Sequence, residues 1–404
     1  MELRPIVSAM LRNKTGAILV GLQIALTLAV VANAVFIIMQ RVEKINRSPG
    51  IDSTNLIFVQ SYGFGPTYNH RDTIRRDLDT IRAMPGVVAA STTNGIPLSG
   101  GGSSSGYFLT TDREGKQGVN ANFYELDEQG VSAFGVKLVE GRAFNEAEIQ
   151  YTDNSISSEF VPAVIITRDF ERALFGEGQS GLGKTVYDGL GQSAVVVGII
   201  DHMLGAWVNS EILGQVMFHS RISTGPIARY VVRAEPGRRD ALISQIERTL
   251  AGSNDPRAIT FVRPHDFYTE RSYRPDRRMV SFLTVIAALM VIVTALGIVG
   301  LASFYVNVRR KQIGTRRAVG ARRIDIIRYF MVENWLLTTG GVIVGAILAF
   351  AFGMWLSEAY ALPRLEPAYV AGGVVLLLLL GQLAVFIPAR RAAAIPPAIA
   401  TRTV

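Results

Sequence analysis

The chain has 404 residues, with 41 Lys and Arg against 33 Asp and Glu, a net charge of +8, and only 18% of its residues are charged. Soluble domains carry about a quarter charged residues, so this composition, with a mean hydropathy of +0.27, argues against a cytosolic enzyme. The chain has no cysteine, which excludes disulfides, cysteine-ligated zinc, iron–sulfur clusters and thiol nucleophiles. With only four histidines, it has few residues from which a histidine-rich metal site could be built.

Four uncharged segments predict helices that cross a membrane. They contain 26, 30, 24 and 23 residues and cover positions 15–40, 279–308, 334–357 and 367–389. Each is longer than the roughly 20 apolar residues that a helix needs to cross about 30 Å of hydrocarbon. Since backbone groups inside lipid must bond to one another, each segment is predicted to be an α-helix.

The first segment also has a feature of a cleaved signal peptide, because Ala32, Asn33 and Ala34 resemble a small-x-small cleavage site. The apolar run continues to residue 39, however, and is longer than the apolar region of a signal peptide, about 7–15 residues. An uncleaved membrane helix is therefore predicted. Ala25, Ala29 and Asn33 fall on one face of it, which predicts close packing against another helix.

Residues 41–278, between the first and second membrane helices, predict a large α+β domain outside the lipid. Its two ends, about 50–94 and 227–264, each have the pattern strand, helix, strand. Two such halves can combine into one split αβ sandwich. The residues between them, about 95–226, are strand-rich and are predicted to form an inserted subdomain.

Two segments of this domain imitate nucleotide-binding loops. Residues 178–185 satisfy the GxxxxGK[ST] spacing, and residues 98–102 read LSGGG, like the signature loop of ABC ATPases. A phosphate loop works where a strand leads into a helix, because the helix N-terminus faces the phosphates. Here a helix is predicted before 178–185 and a turn-rich segment after it, and LSGGG precedes that loop instead of following it. No nucleotide site is therefore predicted.

The membrane segments contain no internal Asp, Glu, Lys, Arg or His. Ion-coupled carriers and proton relays usually need such groups inside the membrane. Gly341 and Gly345 form a GxxxG pair, which favours close helix contact within the bundle or with a second copy. We therefore predict no catalytic residues, no metal site and no cofactor bound by this chain.

The second membrane segment is long. If residues 276–307 are one helix, it measures about 48 Å at 1.5 Å per residue, more than the hydrocarbon thickness. The excess predicts a stalk outside the membrane, and the first helix is expected to extend likewise through residues 41–45. A tilted helix would also absorb extra length.

Basic residues are concentrated in three short segments. Residues 1–14, 309–333 and 390–404 together hold 14 Lys and Arg and three acidic residues, whereas the rest of the chain has 27 basic and 30 acidic residues. The positive-inside rule places these segments in the cytoplasm, and residues 41–278 and the short 358–366 loop outside. With the excess charge at the membrane, a nucleic-acid partner is not predicted.

Residues 309–323 read RRKQIGTRRAVGARR. This segment resembles the FtsX-like permease motif of MacB-type ABC transporters, whose usual form is close to RRKEIGxLRAxGA. Gln312 replaces the acidic residue, and residues 315–317 depart from the motif in the middle. Residues 123–126, 135–144, 174–185 and 388–397 also resemble family segments, so the resemblance covers nearly the whole chain.

The resemblance implies a permease of the bacterial inner membrane that dimerises with an identical or related copy and binds cytoplasmic ABC ATPases. ATP and Mg are expected on the ATPase, whose closing would move the outer domain, a process called mechanotransmission. Export of a periplasmic substrate is expected, with a possible periplasmic adaptor protein. Since 14 residues precede the first helix, the ATPase is expected on a separate chain.

The same resemblance assigns coupling to the ATPase to ten residues of the 309–333 loop: Arg310, Lys311, Ile313, Gly314, Arg316, Arg317, Ala318, Val319, Gly320 and Ala321. Gly314 and Gly320 predict tight turns or close approach, while Ile313, Ala318 and Val319 predict docking in an apolar cleft. The basic residues also suit anionic lipid headgroups. Beyond them, Ile324, Ile327 and Met331 share a helical face that is expected to lead into the third membrane helix.

Two alternatives keep this architecture but change the function. One is a transmembrane signalling module that regulates a periplasmic enzyme, as division-related FtsX does. The larger, two-part outer domain argues against it, since FtsX outer domains are usually smaller. The other is a lipoprotein-release permease of the Lol type.

Overall fold

The computed structural model describes residues 14–111, 118–153, 160–360 and 363–396. The predicted cytoplasmic residues 1–13 and the end of the tail, with Arg402, lie outside the described residues. The chain divides into two compact units. One is the outer unit, Arg47–Arg274, and the other is the helical unit, built from the segments before and after it.

The helices are α1 (Lys14–Asn46), α2 (His70–Arg82), α3 (Gly130–Phe134), α4 (Arg168–Phe175), α5 (Arg239–Ala251), α6 (His265–Val308), α7 (Arg310–Ala318), α8 (Arg323–Tyr360) and α9 (Pro367–Ala393). The strands are β1 (Leu56–Gly63), β2 (Val87–Thr92), β3 (Ser103–Tyr107), β4 (Val119–Leu126), β5 (Leu138–Gly141), β6 (Gln150–Thr152), β7 (Ala163–Thr167), β8 (Thr185–Tyr187), β9 (Ser193–Ile200), β10 (Val216–Ser223), β11 (Ile227–Ala234) and β12 (Arg257–Pro264).

The two ends of the outer unit share one four-stranded sheet with the order β12-β1-β11-β2. Strand β11 pairs antiparallel with both β1 and β2, and β12 pairs with the other edge of β1, so the strands of the two halves alternate in the sheet. Apolar residues of α2 and α5, such as Ile74, Leu78 and Ile246, are buried against one face of this sheet. The elements at both ends therefore form one layer of helices on one sheet.

The residues between these ends form an eight-stranded mixed sheet, in which β3-β4-β10-β7-β9-β5 are neighbours in that order. Tyr124 and Phe218 of this sheet and Phe134 of α3 share a buried cluster with Leu56 and Phe58 from the other face of the four-stranded sheet. The insertion is thus packed on the split sheet through a common core, and it does not form a compact unit of its own.

Helices α1, α6, α8 and α9 contain 33, 44, 38 and 27 residues, and each is apolar and long enough to cross a membrane. Together with the α+β outer unit that follows α1, they confirm the predicted fold class. Helix α6 is longer than its uncharged segment and contains Pro275. The next residue, Asp276, is buried and accepts from Arg41 at 2.6 Å and from Lys44 at 2.7 Å, which ties α1 to α6.

The GxxxG pair lies against α1 of the same chain. A Cβ atom at Gly345 would lie 2.9 Å from the carbonyl oxygen of Ala25, and one at Gly341 would lie 2.9 Å from Cβ of Ile24. Ala25 and Ala29 are buried. One turn further along α1, the Asn33 side chain donates to the backbone oxygen of Ala29 at 2.9 Å, and to that of Ala349 on α8 at 3.0 Å.

Replacing Gly345 with leucine is expected to destabilise the helical unit by about 1–3 kcal/mol, because the added atoms must displace the backbone of α1. Gly340 is the matched control, since no atom lies within 4 Å of a Cβ placed there. Thermal unfolding in detergent, followed by fluorescence of Trp335 and Trp355 on α8, measures the difference. Equal midpoints for the two leucine variants would contradict the contact described above.

Candidate coupling surface

The segment predicted as a loop at 309–333 is largely helical. Helix α7 occupies its first half, and α8 begins at Arg323. Gly314 lies inside α7 and is buried, so of the two predictions for it, a tight turn or a close approach, the turn is wrong. Gly320 does form the turn between α7 and α8, with a φ of +104° that side chains rarely adopt. Asp325 then accepts from the backbone nitrogen of Arg322 at 2.9 Å and caps α8.

The inner face of α7 is held by the bundle itself. Ile313 is 5% exposed and packs in an apolar cluster with residues of α6, α8 and α9, among them Val306, Phe330 and Ala389. This burial explains why a short, polar segment is helical, since most helical stability in proteins comes from packing one face. It also corrects the assignment of Ile313 to docking in a partner, because its side chain is already covered.

The start of α7 is fixed by an ion pair that sequence reasoning did not select. Nη1 of Arg309 donates to both carboxylate oxygens of Glu333 on α8, at 2.9 and 3.0 Å, and both side chains are largely buried. The Arg309 guanidinium also lies 5.1 Å from the ring centre of Tyr305. Arg316 stands at the same distance, 5.1 Å, over the ring of Tyr329. These contacts attach both ends of α7 to neighbouring helices.

The face of α7 turned away from the bundle is basic and open. We call it the coupling surface; its exposed members are Arg310, Lys311, Arg316, Ala318, Val319 and Gly320, with Arg317 and Ala321 half-buried at its edge. Val319 is 86% exposed at the tip of this surface. Within the described residues, no carboxylate lies within 4.0 Å of Arg310, Lys311 or Arg316. The surface therefore offers unneutralised positive charge around an apolar tip.

The apolar face predicted at the start of α8, formed by Ile324, Ile327 and Met331, differs in part from the one observed. Ile326 and Phe330 are the buried residues at the start of α8, whereas Ile324 is exposed. Ile327 and Met331 of the predicted stripe are partly buried and pack against apolar clusters, so the prediction is wrong for Ile324 alone among the three.

The phosphate-loop spacing does not lie in a nucleotide-binding context. Residues 178–184 connect α4 to strand β8, so a strand, and no helix, follows the lysine. Lys184 donates to the side-chain oxygen of Gln179 at 3.3 Å and lies 4.9 Å from the ring centre of Phe175. In the described part of the chain, no group of three or more His, Cys, Asp or Glu residues is arranged to hold a metal ion.

The fold is that of a membrane protein with four long apolar helices and an α+β domain after the first. The family model for the MacB-like periplasmic core domain matches residues 22–249, and that for the FtsX-like permease C-terminal region matches residues 284–397. The chain therefore belongs to the MacB-like, FtsX-like permease family, which confirms the resemblance seen in residues 309–323.

Similar proteins include two named "Macrolide export ATP-binding/permease protein MacB". The one from Chromobacterium violaceum is 25% identical over 296 residues, with 69% of this chain and 43% of the relative covered. The one from Neisseria gonorrhoeae is 25% identical over 404 residues, with 97% of this chain and 59% of the relative covered. The chain spans about half the length of the curated relatives it matches.

Among solved structures, the periplasmic region of MacB from Actinobacillus actinomycetemcomitans is similar. It is 18% identical, and the match covers 56% of this chain and 97% of that structure with a TM-score of 0.34.

Truncating Ile313 to alanine is expected to lower the free energy of unfolding by about 2–5 kcal/mol, because a buried side chain is removed from a packed cluster. Val319→Ala should change it little, since Val319 is 86% exposed. Chemical unfolding of both variants in the same detergent tests this contrast. A larger loss for Val319→Ala than for Ile313→Ala would show that the tip, and not the inner face, holds α7 in place.

Proposed function

We propose that this chain is the permease subunit of a MacB-type ABC system and that a cytoplasmic ABC ATPase acts on the coupling surface. The observation that carries the proposal is the construction of that surface. Its inner face is attached to the chain's own bundle through Ile313, while its outer face presents free basic groups and the exposed tip at Val319. The chain itself binds neither ATP nor Mg in this proposal.

Movement of α7 would be passed on through the contacts that seat it. The ion pair between Arg309 and Glu333 connects the start of α7 to α8, and Ile313 connects it to α9. Helix α6 continues from Val308 to His265, which belongs to the outer unit. ATP-driven closing of the partner would therefore reach the outer unit through a covalently continuous helix. In this scheme, a dimer of such permeases, together with an adaptor protein, exports a periplasmic substrate.

The proposed orientation rests on the distribution of basic residues. The coupling surface and the end of α9, with Arg390 and Arg391, are placed in the cytoplasm together with both termini. Residues 41–278 are placed in the periplasm and the protein in the inner membrane, where the basic segments also meet anionic lipid headgroups.

Substituting Val319 with aspartate is expected to reduce recovery of an ABC ATPase at least tenfold when the tagged full chain is purified from its native membrane. The change places a carboxylate at the tip without disturbing a buried contact. Leu190→Asp is the control, because it makes a comparable change at a side chain that is 65% exposed in the outer unit. Mass spectrometry and ATP hydrolysis of the purified material report the partner.

Two results would contradict the proposal. Equal recovery of the ATPase with Val319→Asp would move the docking site away from the coupling surface. ATP hydrolysis by the purified chain alone would show that the chain is itself catalytic.

A co-purifying periplasmic adaptor would support export, whereas a wall hydrolase would support the signalling alternative.

Single cysteines are expected to report the orientation without background, since the natural chain has none. Gly101→Cys should react with a membrane-impermeant maleimide in intact spheroplasts, and Thr315→Cys should react only after lysis. Gly101 is exposed, and no atom lies within 4 Å of a Cβ placed there. Thr315 is exposed on α7. Reaction of Thr315→Cys in intact spheroplasts would invert the topology.

A further inference from the structure

A polar cavity of about 200 Å³ lies inside the outer unit, where the end of β2 meets β4 and β11. Its polar lining comes from Thr92, Thr93, Asn94, Glu125, Ser223 and Arg229, and its apolar lining from Ile74, Ile227 and Ala228. Ile227 is 49% exposed, so the cavity reaches the surface beside it. Neither the family resemblance nor the coupling surface gives this cavity a role.

Glu125 is the unusual group in this cavity. Its residue is 2% exposed, and neither carboxylate oxygen has a hydrogen-bond partner among the described residues. The nearest cation, Nη1 of Arg221, is 3.7 Å away, which is beyond hydrogen-bonding distance. Leaving a buried carboxylate without hydrogen bonds costs free energy, so such a group in a cavity calls for a donor. The hydroxyl of Thr92 is also buried without a partner in the described part of the chain.

Arg229 places a positive charge in the same cavity. Its Nε and Nη2 donate to the side-chain oxygen of Gln60 at 3.1 and 2.7 Å, and its Nη1 donates to the backbone oxygen of Asn94. These acceptors are neutral, and no described carboxylate lies within 4.0 Å of the guanidinium. The side chain is therefore held in position while its charge remains without an anionic partner.

We propose that this cavity binds a small zwitterion of the α-amino-acid type, whose ammonium group donates to Glu125 and Thr92 and whose carboxylate accepts from Arg229. The ligand's aliphatic side chain would contact Ile74, Ile227 and Ala228. This site is independent of the ATPase partner and of the membrane orientation, so it goes beyond the function proposed above.

Other ligand classes satisfy fewer of these groups. A divalent cation needs several oxygen ligands, and here one carboxylate stands beside two arginines. A neutral polyol would give donors to Glu125 but would leave the charge of Arg229 uncompensated. A ligand with both charges provides a hydrogen-bond donor for Glu125, whose nearest cation is 3.7 Å away, and an anionic partner for Arg229.

Ligand binding to the full chain in lipid nanodiscs tests this assignment, with L-valine, isobutylamine, isovalerate and glucose as probes. Isobutylamine is valine without its carboxylate, and isovalerate is valine without its ammonium. Isothermal titration and saturation-transfer NMR should show L-valine binding at least tenfold more tightly than the other three. Binding of glucose alone, equal affinity for either half-molecule, or no binding of L-valine would overturn the proposal.

Glu125→Gln should weaken L-valine binding at least tenfold, and Glu211→Gln, an exposed position outside the cavity, should not change it. The glutamine variant keeps the size of the side chain but removes the carboxylate that lies 3.7 Å from the buried Arg221, so circular dichroism of this variant checks that it folds. Arg229→Gln provides an independent test, since it should weaken L-valine and isovalerate but leave isobutylamine unchanged. Unchanged L-valine affinity in Glu125→Gln would contradict the proposed ammonium contact.

The pH dependence of L-valine affinity provides a second test of the proposed contact with Glu125. Burial raises the pKa of Glu125 to about 7, although the nearby Arg221 acts to lower it. The proposed ammonium contact needs the ionised carboxylate, so L-valine affinity should fall roughly tenfold from pH 8 to pH 6. Two other titratable groups near Glu125 do not share this range, since burial lowers the pKa of His219 to about 3 and raises the pKa of Tyr107.

Burial also raises the pKa of Asp127 to about 6, but this carboxylate accepts from Arg82 at 2.8 Å and does not line the cavity. Glu125→Gln, with Asp127 intact, separates the two groups and should lose the pH dependence. An affinity that is constant from pH 8 to pH 6 in the unmodified chain would contradict the role of Glu125.

Discussion

The close approach of α1 and α8 is the contact on which the helical unit depends. Lipid provides no hydrophobic drive between two apolar helices, so association relies on dense packing and on the few available hydrogen bonds. Glycine at 341 and 345 lets the backbones meet, and the Asn33 amide then reaches the backbone oxygen of Ala349. With α8 fixed in this way, Glu333 is held where it binds Arg309, and this ion pair positions the start of α7. The coupling surface is thus positioned by glycines that it never touches.

Much of the architecture could be predicted from the sequence because strong local signals agree with the final fold. Uncharged runs identified the four long helices, and period-3.6 and β-branched patterns identified α2, α5 and most strands of the split sheet. The helix α7 was missed because its residues are mostly polar and include Gly314. Packing against α6, α8 and α9 buries the inner face of that segment, and a pattern within the segment itself does not reveal these contacts.

Strand β10 is an element of the outer unit whose burial could not be predicted from its local sequence. Its sequence carries His219, Ser220 and Arg221 in a row, a pattern typical of an exposed segment, yet all three are buried. Parallel pairing with β4 places His219 opposite Glu125, residues that are almost 100 positions apart in the chain. The cavity beside Glu125 could therefore not be predicted, because its lining comes from four separate parts of the sequence.

Pro275 gives α6 a mechanical property that its length alone does not provide. Proline has no backbone N–H, so the carbonyl of Arg271 loses its helical partner and the rod is more compliant at this level than along its uninterrupted turns. The following residue is anchored to α1 by Arg41 and Lys44. A residue anchored to α1 therefore directly follows the turn of α6 that lacks a helical hydrogen bond.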